Sequence, residues 1–197
     1  MIQRIGTFIG LLLAACVLLI NGARAVRHMS PPPPLYLDTG PCDQPCWQGI
    51  QPGITTTAAF NSPATAAIIR RTPYRINRAA DYGGSRIMNF ELSTSGRLTL
   101  GDVMREWGPP ERIGYLGLDY SRMGTAREPA ISAQFYFFDG LVVVQAFGPG
   151  VAPRLSPAMR VYAITYFAPG EPTYPIGKTT TWHGLASISR YRDIFEN

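Results

Sequence analysis

The run ISAQFYFFDGLVVVQAF, Ile131 to Phe147, constrains the fold of this chain more than any other stretch. Two β-branched and aromatic segments flank Asp139-Gly140, the dipeptide that most strongly marks a hairpin. Both segments are apolar on successive positions rather than on alternate ones, so neither side of the resulting strands suits water. The hairpin is therefore predicted to lie in the middle of a sheet.

Two further stretches read as strands. RIMNFELS alternates, with Met88, Phe90 and Leu92 on one side and Asn89 and Glu91 on the other, as a half-buried strand does. RVYAITYFAP supplies another, expected to set Tyr162, Ile164 and Tyr166 along one face. The segment TYPIGKTTTWHGLASISRYRDIF reads as a turn followed by a short helix from about Leu185.

Helix signals occur in two places, each just before a strand. In GITTTAAFNSPATAAIIRRTPYRI, Thr55 is an N-cap candidate, Ser62-Pro63 is a second start, and Ala64, Ala67 and Ile68 fall at helical spacing. In LTLGDVMREWGPPERI, Thr99 and Asp102 form an acidic version of the capping box. Leu100, Val103, Met104 and Trp107 share one face there, and Gly108-Pro109 stops the helix. The two segments end alike, on Pro73-x-Arg75-Ile76 and Pro110-x-Arg112-Ile113, and read as two copies of one helix-to-strand unit. The expected class is α+β, an antiparallel sheet with short helices packed on one face.

The ends of the chain speak to destination. Arg4 precedes an apolar run from Ile5 to Ile20, which is ordinary for a secretory signal and short for a span of roughly 20 residues. LAAC, Leu13 to Cys16, resembles a lipobox with Cys16 as the lipidated residue. ARA, Ala23 to Ala25, offers an ordinary signal-peptidase site, and an uncleaved anchor is a third outcome. A lipidated or anchored form ranks ahead of a released one. SPPPPLYLDTGP, Ser30 to Pro41, carries four consecutive prolines and reads as a semi-rigid stalk. The expected organisation is a signal peptide or anchor over residues 1–25, a Pro-rich stalk over 26–41 and one α+β domain over 42–197.

Charge narrows the partners. The formal net charge is +5, but Arg4, Arg24 and Arg27 belong to or adjoin the leader, and without them 15 basic residues face 13 acidic ones. No nucleic-acid footprint is indicated. One cluster remains in RRTPYRINR, where Arg70, Arg71, Arg75 and Arg78 read either as a solvated helix end and loop or as a contact for anionic lipid headgroups or wall polymer.

GPCDQPCWQGIQPGITT holds Cys42 and Cys46, an even pair once Cys16 is assigned to the leader, and an oxidising compartment would join them. A Cys-Trp pair with a distant His183 and Asn197 superficially fits a papain-like hydrolase. That nucleophile opens a long helix, which Gly49, Pro52 and Gly53 forbid here. The staple is the better reading of Cys46. Three residues between the cysteines, rather than two, weaken a redox motif, and His28 and His183 add too few soft ligands for zinc. GKTT, Gly177 to Thr180, lacks the upstream glycine spacing of a phosphate loop and reads as a turn leading into a helix cap. Asp102, Glu106 and Glu111 could form an acid/base pair but are more simply solvent-facing. Trp107, Tyr136, Phe137, Phe138, Tyr162 and Tyr166 could line a groove, although such residues are mostly core. No catalytic set, metal or cofactor is expected.

CWQGIQPGITT, LTLGDVMREWGPPERI and the strands after them resemble the unit of BamE/SmpA-type outer-membrane lipoproteins and of β-lactamase-inhibitor-protein-like repeats, over roughly Cys42 to Phe167. The resemblance implies a lipoprotein or secreted scaffold that binds other proteins without catalysis. The Cys42/Cys46 clasp, the stalk and the C-terminal segment depart from it. The opening PCxxPCWxGIxPG is also similar to that of exported bacterial proteins, a likeness that implies no activity. The leading expectation is an envelope-tethered or secreted interaction module binding protein or envelope polymer, with its N-terminus at the membrane. The alternatives are a secreted cysteine hydrolase using Cys46 and His183, and a small-ligand binder on the aromatic sheet face.

Overall fold

The computed structural model describes residues 42–80, 85–119, 130–149, 154–171, 178–185 and 190–191. Cys16, the competing cleavage sites, the stalk and most of the helix expected from Leu185 lie outside the described residues. The strands are β1 (Arg75–Ala80), β2 (Asn89–Thr99), β3 (Arg112–Asp119), β4 (Ala130–Phe137), β5 (Val142–Pro149), β6 (Arg160–Phe167) and β7 (Thr179–Thr181). They form one antiparallel sheet in the order β1-β2-β6-β5-β4-β3-β7. The hairpin strands β4 and β5 lie inside the sheet, with strands on both sides of each, and Phe137 pairs with Val142 across a tight turn at Phe138–Gly140. Asp139 has a φ of 55° and Gly140 one of 87°, the left-handed geometry that this dipeptide tolerates.

The helices are α1 (Thr57–Phe60), α2 (Pro63–Arg70) and α3 (Leu100–Trp107). The cap of α1 is Thr56 rather than Thr55, whose Oγ1 instead accepts the Gln51 N–H at 2.8 Å. Ser62 caps α2 with Pro63 in its first turn, as its sequence predicts. Its inward residue is Ile69, with Phe60 of α1, and Ala64 is exposed. Ala67 and Ile68 are half-buried beside Ile69, which is the residue of this helix that packs against the core.

The capping box of α3 is complete. Asp102 N–H donates to Thr99 Oγ1 at 3.2 Å, and Thr99 N–H donates to Asp102 Oδ2 at 2.9 Å. Two other N-terminal donors are used on the segment before β6, Leu100 N–H to Met159 O and Gly101 N–H to Pro157 O, each at 2.8 Å. That ties α3 to the sheet, and Leu100 and Val103 are fully buried with Met104 and Trp107 packed beside them. Helix α2 leads into β1 and α3 into β3 by similar short connections, and these strands lie towards opposite ends of the sheet.

One face of the sheet carries the core: Phe90 and Leu92 of β2, Ile164 and Tyr166 of β6, Val142 and Val144 of β5, Phe135 and Phe137 of β4, and Ile113 of β3. Leu100, Val103 and Trp107 of α3, Ile69 of α2, Trp47 and Trp182 cover it. Trp107 meets Phe137 edge-on at 5.5 Å and Tyr166 at 6.4 Å, Trp47 lies 6.4 Å from Phe90, and Trp182 lies 5.8 Å from Phe135.

Two sequence expectations fail in the strands. Tyr162 does not share a face with Ile164 and Tyr166, because the β5–β6 register shifts between Gln145 and Ala146. The bulge puts Val161 in the core and leaves Tyr162 packed edge-on against Phe147 at 5.1 Å on the opposite face. Thr179 and Thr180 do not lead into a helix cap, since residues Thr179–Thr181 pair with Gly114, Ile113 and Arg112 as an edge strand. Threonine suits a strand, and the three-residue length limits the exposed edge.

Candidate functional site

The opening segment folds as a closed staple. Cys42 and Cys46 are joined by a disulfide. Trp47 and Ile50 exchange backbone hydrogen bonds at 2.9 and 3.0 Å around Gln48 and Gly49, both with positive φ. This is the tight turn that needs two left-handed residues, and it turns both Trp47 and Ile50 into the core. The Cys46 sulfur is bonded and its residue has no exposed surface, so it offers no nucleophile while the bond stands. His183 is exposed, its backbone N–H donates to Tyr191 Oη at 3.0 Å, and its ring lies 6.0 Å from the Tyr191 ring. A hydrolase using Cys46 and His183 would first require reduction of the staple.

The opposite sheet face has a different character. Register places two rows across it, Arg112–Tyr136–Val143–Thr165–Glu91 and Gly114–Gln134–Gln145–Ala163–Ser93. Tyr136, Val143 and Phe167 form a small separate apolar cluster at their centre. Around it Gln134, Gln145, Thr165, Glu91 and Ser93 are half-buried. Phe147 and Tyr162 make an aromatic pair beside them.

Gly114 sets the geometry of this face. A Cβ there would lie 2.9 Å from Tyr136 Cε2 and 3.0 Å from Thr179 Cγ2, so only glycine lets the phenol lie close along the strand. Tyr136 Oη then donates to Gln134 Oε1 at 3.0 Å, and the Arg112 guanidinium stands 5.6 Å from the ring centroid. Burial pushes the Tyr136 phenol above its ordinary pKa, against the opposing pull of Arg112. It therefore stays protonated and acts as a donor. Ser132, 2 % exposed and across from Phe147, has a hydroxyl with no partner among the described residues. The chemistry available is hydrogen bonding by amides and hydroxyls beside aromatic surfaces.

The groove suggested by the six aromatic residues is divided between the faces. Trp107, Phe137 and Tyr166 pack into the main core and Phe138 packs on Trp107, whereas Tyr136 and Tyr162 belong to the opposite face. The carboxylates are separate too. Asp102 is occupied by its cap and by Arg105 Nη2 at 3.2 Å, Glu106 is exposed, and Glu111 accepts the Asp139 N–H at 2.9 Å. Arg70 ends α2, Arg71 is its C-cap, Arg75 opens β1 and Arg78 follows within that strand; the first three side chains are exposed.

Sequence reasoning overlooked Gln134, Gln145 and Arg112. A usable signal existed, since each glutamine interrupts an apolar run at the same distance from Asp139-Gly140 and such positions face each other in a hairpin. Among the described residues no group of three or more His, Cys, Asp or Glu could hold a metal ion, and no helix is long and apolar enough to cross a membrane. No family model, no curated protein and no solved structure matches this chain.

Proposed function

We propose that the chain is an exported, non-catalytic interaction module, tethered to the envelope through a lipidated Cys16, whose polar sheet face, opposite the main core, binds protein or envelope polymer through its half-buried amides and hydroxyls. The observation that carries this reading is the asymmetry of the sheet. One face is packed under helices and tryptophans, while the other sets half-buried Gln134, Gln145, Thr165 and Tyr162 around buried Tyr136, Val143 and Phe147. Neutral donors and acceptors beside aromatic surface suit amide- or hydroxyl-rich partners and supply no activated nucleophile. The disulfide is compatible with an oxidising compartment, and the lipobox-like LAAC and the stalk sequence support tethering.

A photo-crosslinking residue placed at Gln145 of the full chain in its native envelope tests the assignment, with the exposed Arg105 of α3 as the comparison site. The expected result is a discrete adduct with protein or polymer from position 145 and none from position 105. Equal labelling from both, or none from 145, would remove the polar face as the binding surface.

A further inference from the structure

The outer edge of the sheet at β1 points to a second docking mode, one that uses main-chain groups rather than the amides and hydroxyls of the polar face. Strand β1 is the terminal strand and pairs only with β2, so among the described residues the backbone N–H and C=O groups on its outer side have no strand partner. At six residues it is twice as long as β7, the terminal strand at the other end. Immediately before it the chain carries Arg70 at the end of α2, Arg71 at its C-cap and Arg75 as the first strand residue. All three are exposed, and none forms an ion pair among the described residues. A register shift between Ile76 and Arg78 interrupts the pairing of β1 with β2, and Arg75 stands opposite Ser93.

We infer that β1 accepts an extended acidic peptide segment of a partner protein as an added strand, with Arg70, Arg71 and Arg75 pairing its carboxylates. The edge supplies main-chain hydrogen bonds, and the arginines select the charge of what uses them. A second copy of this chain, pairing β1 antiparallel with β1, would set the two arginine clusters at opposite ends of the seam and leave them without carboxylate partners. A lipid surface would leave the outer backbone groups unanswered.

The test uses the full-length protein and a fluorescently labelled short peptide of alternating glutamate and valine. Binding is read by anisotropy, beside the same peptide with alternate backbone amides methylated and beside vesicles containing phosphatidylglycerol. The expected result is binding weakened about tenfold or more by Arg71→Glu with Arg75→Glu, and by backbone methylation, with an unchanged melting curve for the variant. If charge reversal unfolds the protein, Arg71→Gln with Arg75→Gln makes the same comparison. Undiminished binding of the methylated peptide would reduce the contact to simple ion pairing and overturn strand addition. Binding to the vesicles alone, or to neither probe, would overturn the proposal as well. Loss of crosslinking at Gln145 with retained peptide binding would sink the polar-face reading and leave this one standing.

Discussion

Three residues show how local chemistry is used in this molecule. Asp102 closes the α3 cap. Burial raises its pKa, but the hydrogen bonds from Thr99 and the charge and hydrogen bond of Arg105 outweigh that and hold the carboxyl below its ordinary value of 3.8. A lowered folded pKa adds stability that is complete above the unfolded value and is lost as pH falls through the folded one. The expected outcome is that Asp102→Asn lowers stability at neutral pH and shows a shallower loss below about pH 4, read from denaturant midpoints across pH. Thr99→Ala, which removes the other half of the box, is expected to cost about 1 kcal/mol at neutral pH. Gly114 is a different case, since its role is to be absent beside Tyr136. Gly114→Ala puts a methyl 2.9 Å from the buried ring and should cost about 1–3 kcal/mol in chemical denaturation while perturbing tyrosine fluorescence. Tyr166 is wholly buried and its hydroxyl has no partner among the described residues, and burial together with Tyr74 holds its phenol protonated.

At the scale of elements, the staple and α3 close the covered face. The Cys42–Cys46 bond spans a separation of four residues, so its chain-entropy contribution is about 2 kcal/mol. Cys42→Ser with Cys46→Ser should lower stability by about that amount in urea, and iodoacetamide should leave the native protein unlabelled until it is reduced. Trp47 has no exposed surface and joins the turn to Phe90, so Trp47→Ala should cost about 3–5 kcal/mol and loosen the whole opening segment. Helix α3 was legible in every particular, because its cap, its apolar stripe and its terminating glycine are all encoded within nine or ten residues. Helix α1 and strand β7 were not. The α1 cap shifted by one threonine, and β7 is a strand only because β3 offers it an edge.

For the whole molecule, the sheet divides the surface by chemistry. The main core with its tryptophans lies on one face, and on the other hydrogen-bonding residues surround the smaller Tyr136–Val143–Phe167 cluster. The tethered reading carries an expectation for the protein purified from its envelope: its intact mass should begin at an acylated Cys16 and rise by about 2 Da on reduction, for the hydrogens taken up by Cys42 and Cys46. A mass beginning at Val26 would describe a released protein and end the lipoprotein assignment.

The α+β class, the central hairpin, the α3 helix with its cap and the pairing of Cys42 with Cys46 were legible from neighbouring residues, period and turn chemistry. Which strands are neighbours, where the β6 bulge turns Tyr162 away from the core, and that Gly114 brings Tyr136 against Gln134 came from the packed fold. These features arise from register between segments far apart in the chain. A one-residue shift in pairing carries a side chain from one face to the other, and nothing within a single segment encodes that shift.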